Sequence, residues 1–269
     1  MRLSPAPANL VTADAVGGSG TPDAAPVIAE LDRWADAGLT AGFWLRDDDA
    51  QSDTQALREL LRQTGDAGIA PLIAAIPEGA TPDLVERCAA GNARLAVHGF
   101  AHRNHAPPGA KKAELGADRP VPQILAELDR AREALLGLAG NRLLPVLVPP
   151  WNRIAPEVIA GLAGIGFSGL SGFGPRRRFA EASGLVMAST HLDLIDWHGT
   201  RSGRDHAELF ADLARVLEAA RHDDPDEPIG ILTHHLVHDR VAVSFLDALF
   251  PLLRAHVASV WLSPGAIWR

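Results

Sequence analysis

The sequence has no tyrosine, one cysteine and no apolar run of membrane-spanning length. Cys88 has no second cysteine to pair with, so no internal disulfide forms, which suits a reducing compartment. A transmembrane helix needs about 20 consecutive apolar residues, and the chain offers none. The first twenty residues also lack the apolar core of a secretory signal. The expectation is a cytoplasmic protein. Positive charge is scarce too: 25 Lys and Arg against 33 Asp and Glu leave a formal charge of −8. Non-specific nucleic-acid binding needs a positive field to displace counterions, so nucleic acid is not an expected partner.

The rest of the composition is that of a globular enzyme-sized chain. Of 269 residues, 47% are hydrophobic and 22% charged. That excludes whole-chain disorder, collagen and coiled coil. A chain this long buries about three quarters of its unfolded surface and needs no metal or disulfide to fold. The unusual count is eleven histidines. Histidine shuttles protons and binds metals near neutral pH, so where these residues collect is the useful question.

Residues 1–24 are rich in Ala, Pro and Gly and read as a loose lead-in. From residue 25 to 269 the chain alternates helical and strand patterns without a linker. Ala25–Leu39 carries Val27, Ile28, Leu31 and Trp34 on one helical face. Ala41–Leu45 reads as a strand, Asp53–Thr64 as a helix, Pro71–Ile76 and Arg94–Val97 as strands. Val121–Leu138 is a long amphipathic helix, and strand candidates follow at Leu143–Val148, Phe167–Leu170, Leu185–Ala188, Ile229–Leu232 and Ser259–Leu262. This alternation implies right-handed βαβ units and a parallel sheet. Seven or eight strands point to a distorted (β/α)7–8 barrel in one domain.

Barrel chemistry sits where strands end. Polar clusters follow five of the strands: Arg46-Asp47-Asp48-Asp49, His98 to His105, Pro149 to Arg153, His191 to His198, and Thr233 to Asp239. Each has an ordinary explanation alone, such as helix-start acids or surface histidines. Together after separate strands they describe one rim. His98 and His102, spaced i, i+4, would share one face of a helical turn and chelate a divalent ion. A carboxylate from the first cluster would complete three ligands, a second would act as base, and a late histidine would protonate the leaving group.

The order of these motifs resembles the polysaccharide deacetylase family, the NodB-homology type of carbohydrate esterase. It runs from Asp47-Asp48 through His98-x-x-x-His102, Pro149-Pro150-Trp151 and Asp193-x-x-Asp196-Trp197 to Leu232-x-His234. The resemblance covers roughly residues 41–240. It implies metal-dependent removal of N- or O-acetyl groups from carbohydrates, on a distorted (β/α) barrel. By position it implies Asp47 as base and Asp48, His98 and His102 as metal ligands. Pro150, Trp151 and Asn152 would form one substrate wall, with the Trp151 amide helping to hold the oxyanion. Asp193, Asp196 and Trp197 would form another, and His234 would be the acid. With no tyrosine in the chain, the Trp151 wall lacks a phenolic hydroxyl.

The departures open alternatives. Asp49 extends the acid pair to three, so the base and ligand roles can shift by one residue. His235 competes with His234. The family has an arginine, paired with its base, where this chain has Val148, and Arg46 or Arg153 are the candidates to replace it. Gly99 stands where the family has Ser or Thr. His105 either extends the site or belongs to a loop, and Arg176–Arg178 either bind an acidic group or face solvent. A carboxylate with two imidazoles suits Zn first, and also Co, Ni or Mn. The substrate expected is a small molecule or oligosaccharide. A metal hydrolase of a non-sugar amide or ester, or a silent carbohydrate-binding barrel, would share these motifs.

Overall fold

The computed structural model describes residues 22–176 and 184–269. Most of the lead-in, with Arg177 and Arg178, lies outside the described residues. Pro22–Ala24 form a short 3-10 turn, and Ala24 is already buried in the core. Among the described residues no helix is long and apolar enough to cross a membrane.

The central strand is β1 (Ala41–Ala50). It pairs in parallel with β2 (Leu72–Ala75), β8 (Ile229–Thr233) and β9 (Ser259–Trp261). Outward from β2 lie β3 (Arg94–Val97), β4 (Leu143–Leu147), β5 (Gly169–Leu170) and β6 (Val186–Met187); beyond β8 lies β7 (Thr190–Asp193). The chain leaving β5 then reaches β7. Phe173 bridges Thr190 in parallel, Gly174 N–H donates to Thr190 O, and Thr190 N–H donates to Gly172 O. These contacts curl the parallel sheet into the distorted barrel that the alternation predicts.

Helices cover the outside. On one flank α3 (Pro82–Ala90), α4 (Val121–Ala139) and α5 (Pro156–Gly161) bury Leu84, Leu128 and Val158. On the other, α1 (Ala25–Asp36), α6 (His206–Asp223) and α7 (Arg240–Ala255) bury Leu31, Leu213 and Leu249. Full burial stabilises by about 1.5–3 kcal/mol for each such side chain. Ile28, read as part of the apolar face of α1, is 36% exposed and marks its edge. Inside the barrel Trp44, Leu72, Ala96 and Val146 form a separate core. Trp268, after α8 (Pro264–Ile267), plugs it edge-on against Trp44 with ring centroids 5.1 Å apart.

Two differences from the sequence reading matter for the site. First, β1 does not end at Leu45 but carries all three acids within the strand. Buried partners make that tolerable: Arg46 pairs with Asp48, and Thr233 and His235 with Asp47. Second, β7 lies in a segment that reads as a polar loop. Its Thr190 and Leu192 are buried while His191 and Asp193 are half-buried, so the strand has the period of two but only one large apolar residue.

Candidate metal centre

Strand geometry decides what each acid of β1 can do. Side chains alternate across a strand. Phe43 and Leu45 face the α1, α6 and α7 core, whereas Trp44 faces the barrel interior. Arg46 and Asp48 continue the interior face, and Asp47 continues the helix face. Asp47 is fully buried, and its Oδ2 accepts from Thr233 Oγ1 at 2.7 Å and His235 N–H at 2.8 Å. Its Oδ1 meets His235 Nδ1 at 2.5 Å. Burial alone would favour neutral forms, but each partner's charge outweighs it. The Asp47 carboxyl is held below its ordinary value and the His235 imidazole above.

On the interior face, Arg46 grips Asp48 through two hydrogen bonds, Nε to Oδ1 at 2.9 Å and Nη2 to Oδ2 at 3.0 Å. The remaining guanidinium hydrogens go to Asn152 Oδ1 at 2.7 Å, Ser171 Oγ at 2.7 Å, Ser171 O at 3.1 Å and Gly172 O at 3.0 Å. A fully buried arginine this well satisfied fixes Asp48 at the cavity wall.

A regular strand would turn Asp49 away from Asp48. Instead the β1–β2 register breaks between Asp47 and Ala50, and Asp49 has a φ of 74°. That bulge places Asp49 on the cavity beside Asp48. There Asp49 Oδ1 lies 3.1 Å from His98 Nε2 and 3.2 Å from His102 Nε2. One ligand atom from each of the three residues falls within 4.8 Å of the others. The triad brought together is therefore Asp49, His98 and His102. The acid that meets the two histidines is thus one position later than the resemblance implies, with Asp48 beside the triad and Asp47 behind the sheet.

The histidines do not share a helical turn. The chain from His98 to His102 is a loop with positive φ at Gly99 (63°) and at His102 (53°). His98 Nδ1 is 3.0 Å from Val148 O, and a carbonyl only accepts, so Nδ1 carries a proton there. Nε2 is left to face Asp49 or a cation between them. Burial opposes charge on His98, yet the carboxylates of Asp48 and Asp49 outweigh it and hold the imidazole above its ordinary value. Burial likewise opposes the Asp49 anion, and the His98 hydrogen bond and charge, with His102, hold it well below the usual carboxylate range. His102 is instead lowered, by burial and then by His98. Acceptors converge where the field favours a cation. The donor set, a carboxylate and two imidazoles, fits a divalent ion of the Zn, Co, Ni or Mn type.

Glu114 shapes this loop and has no signature in the sequence. It is 1% exposed, and its carboxylate accepts from the amides of Phe100 (3.2 Å), Ala101 (2.9 Å) and Arg103 (3.4 Å). It occupies the space a side chain at Gly99 would need: a Cβ there would sit 2.0 Å from Glu114 Oε2 and 2.6 Å from Pro150 Cγ. The positive φ adds strain for any L-residue. Gly99→Ser, which restores the residue usual in the resembling family, is expected to lower affinity for the divalent ion about 10–100-fold. Titration of stripped protein with Zn checks this; unchanged affinity would show that the Glu114–Gly99 contact does not position His98 and His102.

The opposite wall comes from three turns. Trp151 and Asn152 both have positive φ (56° and 54°), rare for non-glycine residues and concentrated at functional sites. The Trp151 ring lies 4.3 Å from that of His102. Asp193, at the end of β7, accepts from Trp197 Nε1 at 2.8 Å and from Ile195 N–H at 3.0 Å. Burial pushes its carboxyl above the ordinary value, offset in part by the neighbouring His234. His234 follows β8 and meets Trp197 edge-on at 4.7 Å. These residues line a cavity of about 680 Å³ with Asp48, Asp49, His98 and His102. That is a common size for ligand sites, about 300–1,000 Å³.

Other candidates lie elsewhere. His235 belongs to the Asp47 pair behind the sheet. His105 Nε2 meets Arg119 Nη1 at 2.7 Å, outside the cavity. Asp196 caps its own turn, accepting from the amides of His198, Gly199 and Thr200. Pro150 is buried against Gly99, so of its neighbours only Trp151, Asn152 and Arg153 line the cavity. Arg176 is tied to Asp224 through two contacts at 2.6 Å. Val148 is a buried apolar residue, and Arg46, not Arg153, pairs with the acid beside the triad.

No family model matches the chain, and no curated protein matches it. Solved structures do. A Mycobacterium smegmatis protein assigned to the polysaccharide deacetylases superposes with a TM-score of 0.60 at 17% identity, over 84% of this chain and 87% of that one. A family 4 carbohydrate esterase from Streptomyces lividans gives 0.53 at 16% identity, over 83% and 91%. A family 4 acetyl xylan esterase from Clostridium thermocellum, solved with a cobalt ion, gives 0.52 at 12% identity, over 84% and 89%. At these identities the likeness is one of architecture: the chain has the fold of the polysaccharide deacetylases and family 4 carbohydrate esterases.

Proposed function

We propose that the protein is a metal-dependent hydrolase that removes an N- or O-acetyl group from a carbohydrate or sugar conjugate. The observation that carries this reading is the convergence of Asp49, His98 and His102 on one point of a cavity whose walls also hold Asp48 and His234. A divalent ion held by the triad would supply Lewis acidity toward a carbonyl and a water. The C. thermocellum neighbour was solved with a cobalt ion, one of the borderline divalent ions this donor set suits.

The chain's own residues divide the remaining work. Asp48 takes the proton of the attacking water, and Arg46 keeps that carboxylate aimed at the cavity. Arg46 thus supplies from β1 the guanidinium that the resemblance leads one to expect at Val148. The Trp151 turn offers its backbone amide to the developing oxyanion. His234 gives a proton to the departing amine or alcohol. Asp193 supports the imidazolium form from which His234 gives that proton, and Trp197 walls the sugar face.

The test is metal content and acetate release together. Protein stripped and reloaded with Zn, Co, Ni or Mn should hold one ion per chain by elemental analysis, and His98→Ala should lose it. Acetate should be released from acetylated sugars only by loaded protein. Release from non-sugar amides alone would refute the carbohydrate assignment. Bound metal with no release from any acetylated compound would indicate a silent barrel.

A further inference from the structure

We infer that the cavity takes an anionic acyl sugar, one carrying a phosphate or carboxylate group, and that Lys112, Arg153 and Arg201 bind that group. This rests on the deacetylase reading for the acyl part only. All three cations line the cavity. They come from separate segments: Lys112 from the loop between β3 and α4, Arg153 from the turn after β4, and Arg201 from the turn after β7.

Their meeting at one cavity without a carboxylate partner carries the inference. The chain has more acids than bases, and several exposed arginines find carboxylates: Arg58 with Asp53, Arg62 with Glu59 and Asp66, Arg103 with Glu78, Arg215 with Asp212. Arg130, Arg240 and Arg254 do not, but they lie apart from one another and from the cavity, whereas Lys112, Arg153 and Arg201 meet at one cavity. Among the described residues Lys112, Arg153 and Arg201 have no carboxylate in salt-bridge range. The acids of the cavity floor do not account for them, because each is already held. Asp48 is gripped by Arg46, Asp49 faces the two histidines, and Asp193 accepts from Trp197 and Ile195. The rim cations are left for something that enters.

Their backbones are also fixed. Arg153 Nη1 donates to Lys112 O at 2.7 Å, and Ala155 N–H donates to Leu115 O at 2.8 Å, which staples the Lys112 loop to the Trp151 turn. Lys112 Nζ lies 5.9 Å from the Trp151 ring, so a sugar ring against Trp151 would bring an anionic substituent to it. Arg201 sits in the turn capped by Asp196, its amide donating to Asp196 O at 2.8 Å. A negatively charged protein that places unpaired cations at one cavity steers an anion there and rejects it elsewhere.

The test is equilibrium binding by calorimetry, on metal-free and Zn-loaded protein. The probes are N-acetylglucosamine, its 1-phosphate and 6-phosphate, and N-acetylmuramic acid as the carboxylate. At least one anionic probe should bind about tenfold more tightly than the neutral sugar. Raising salt should erode that preference. The double variant Lys112→Gln/Arg201→Gln, both positions exposed and outside the core, should abolish it. A preference confined to the phosphates, or to the muramic acid, supports the inference and identifies the group. Equal binding of neutral and anionic probes overturns it, as does a preference that survives the double variant. Anionic preference without acetate release would sink the deacetylase reading alone. Acetate release without anionic preference would sink this inference alone.

Discussion

Asp48→Asn is expected to lower kcat for acetate release by about 10²–10⁴-fold while the chain still binds one divalent ion. Asparagine keeps an oxygen for Arg46 but cannot accept the proton of water. Arg46 retains Asn152, Ser171 and Gly172 as partners, so the site stays assembled even with its charge partner gone. Elemental analysis and single-turnover acetate release on the same preparation separate the two effects. Asp49→Asn gives the contrast, because it removes a ligand and loses metal and turnover together. Full activity in Asp48→Asn, or loss of its metal, would return the base role to another acid. Asp47 is poorly placed for that role. It is fully buried and faces Thr233 and His235, on the side of the sheet away from the triad.

The one-residue offset shows where the sequence stops being informative. Strand β3 appears as read at Arg94–Val97, and α4 runs one residue beyond its predicted end. The clusters gathered by strand-end logic do share one rim. The parity of β1 was hidden because both its faces are buried, so Phe43, Trp44 and Leu45 show no alternation to extend into the acids. The bulge at Asp49 then breaks parity in any case. The histidine pair was legible as a spacing but not as a conformation. The i, i+4 interval suggested a helical turn, whereas positive φ at Gly99 and His102 closes a loop. Glu114 was invisible because its partners are backbone amides, which leave no mark in side-chain composition. Arg46 was legible as a candidate but not distinguishable from Arg153, because only the folded chain shows that Arg46 reaches Asp48 while Arg153 turns to Lys112 O.

Asp47→Ala is expected to cost about 3–5 kcal/mol of stability, the usual penalty for breaking a buried ion pair from one side. The substitution leaves His235 without its Nδ1 partner, and Thr233 Oγ1 and the His235 amide without theirs. Urea unfolding at several pH values checks both size and cause. The facing groups are Asp47 itself, more distant Asp49, and His238, which burial holds below its ordinary value. His235 is raised by Asp47, so its contribution is complete below the ordinary histidine value, about 6.5. It is lost as pH rises through the higher folded value. Asp47 is lowered, so its contribution is complete above about 3.9 and is lost as pH falls through the lower folded value. The gap between wild type and variant should therefore be widest between those limits and narrow on either side. A gap under about 1 kcal/mol, or one indifferent to pH, would show that the pair does not hold the fold. His234 lies between the two residues that Asp47 clamps, so the same variant should also loosen the proposed acid. Its folded fraction should keep the metal and lose less activity than Asp48→Asn, because Asp47 acts on the reaction only through the position of His234.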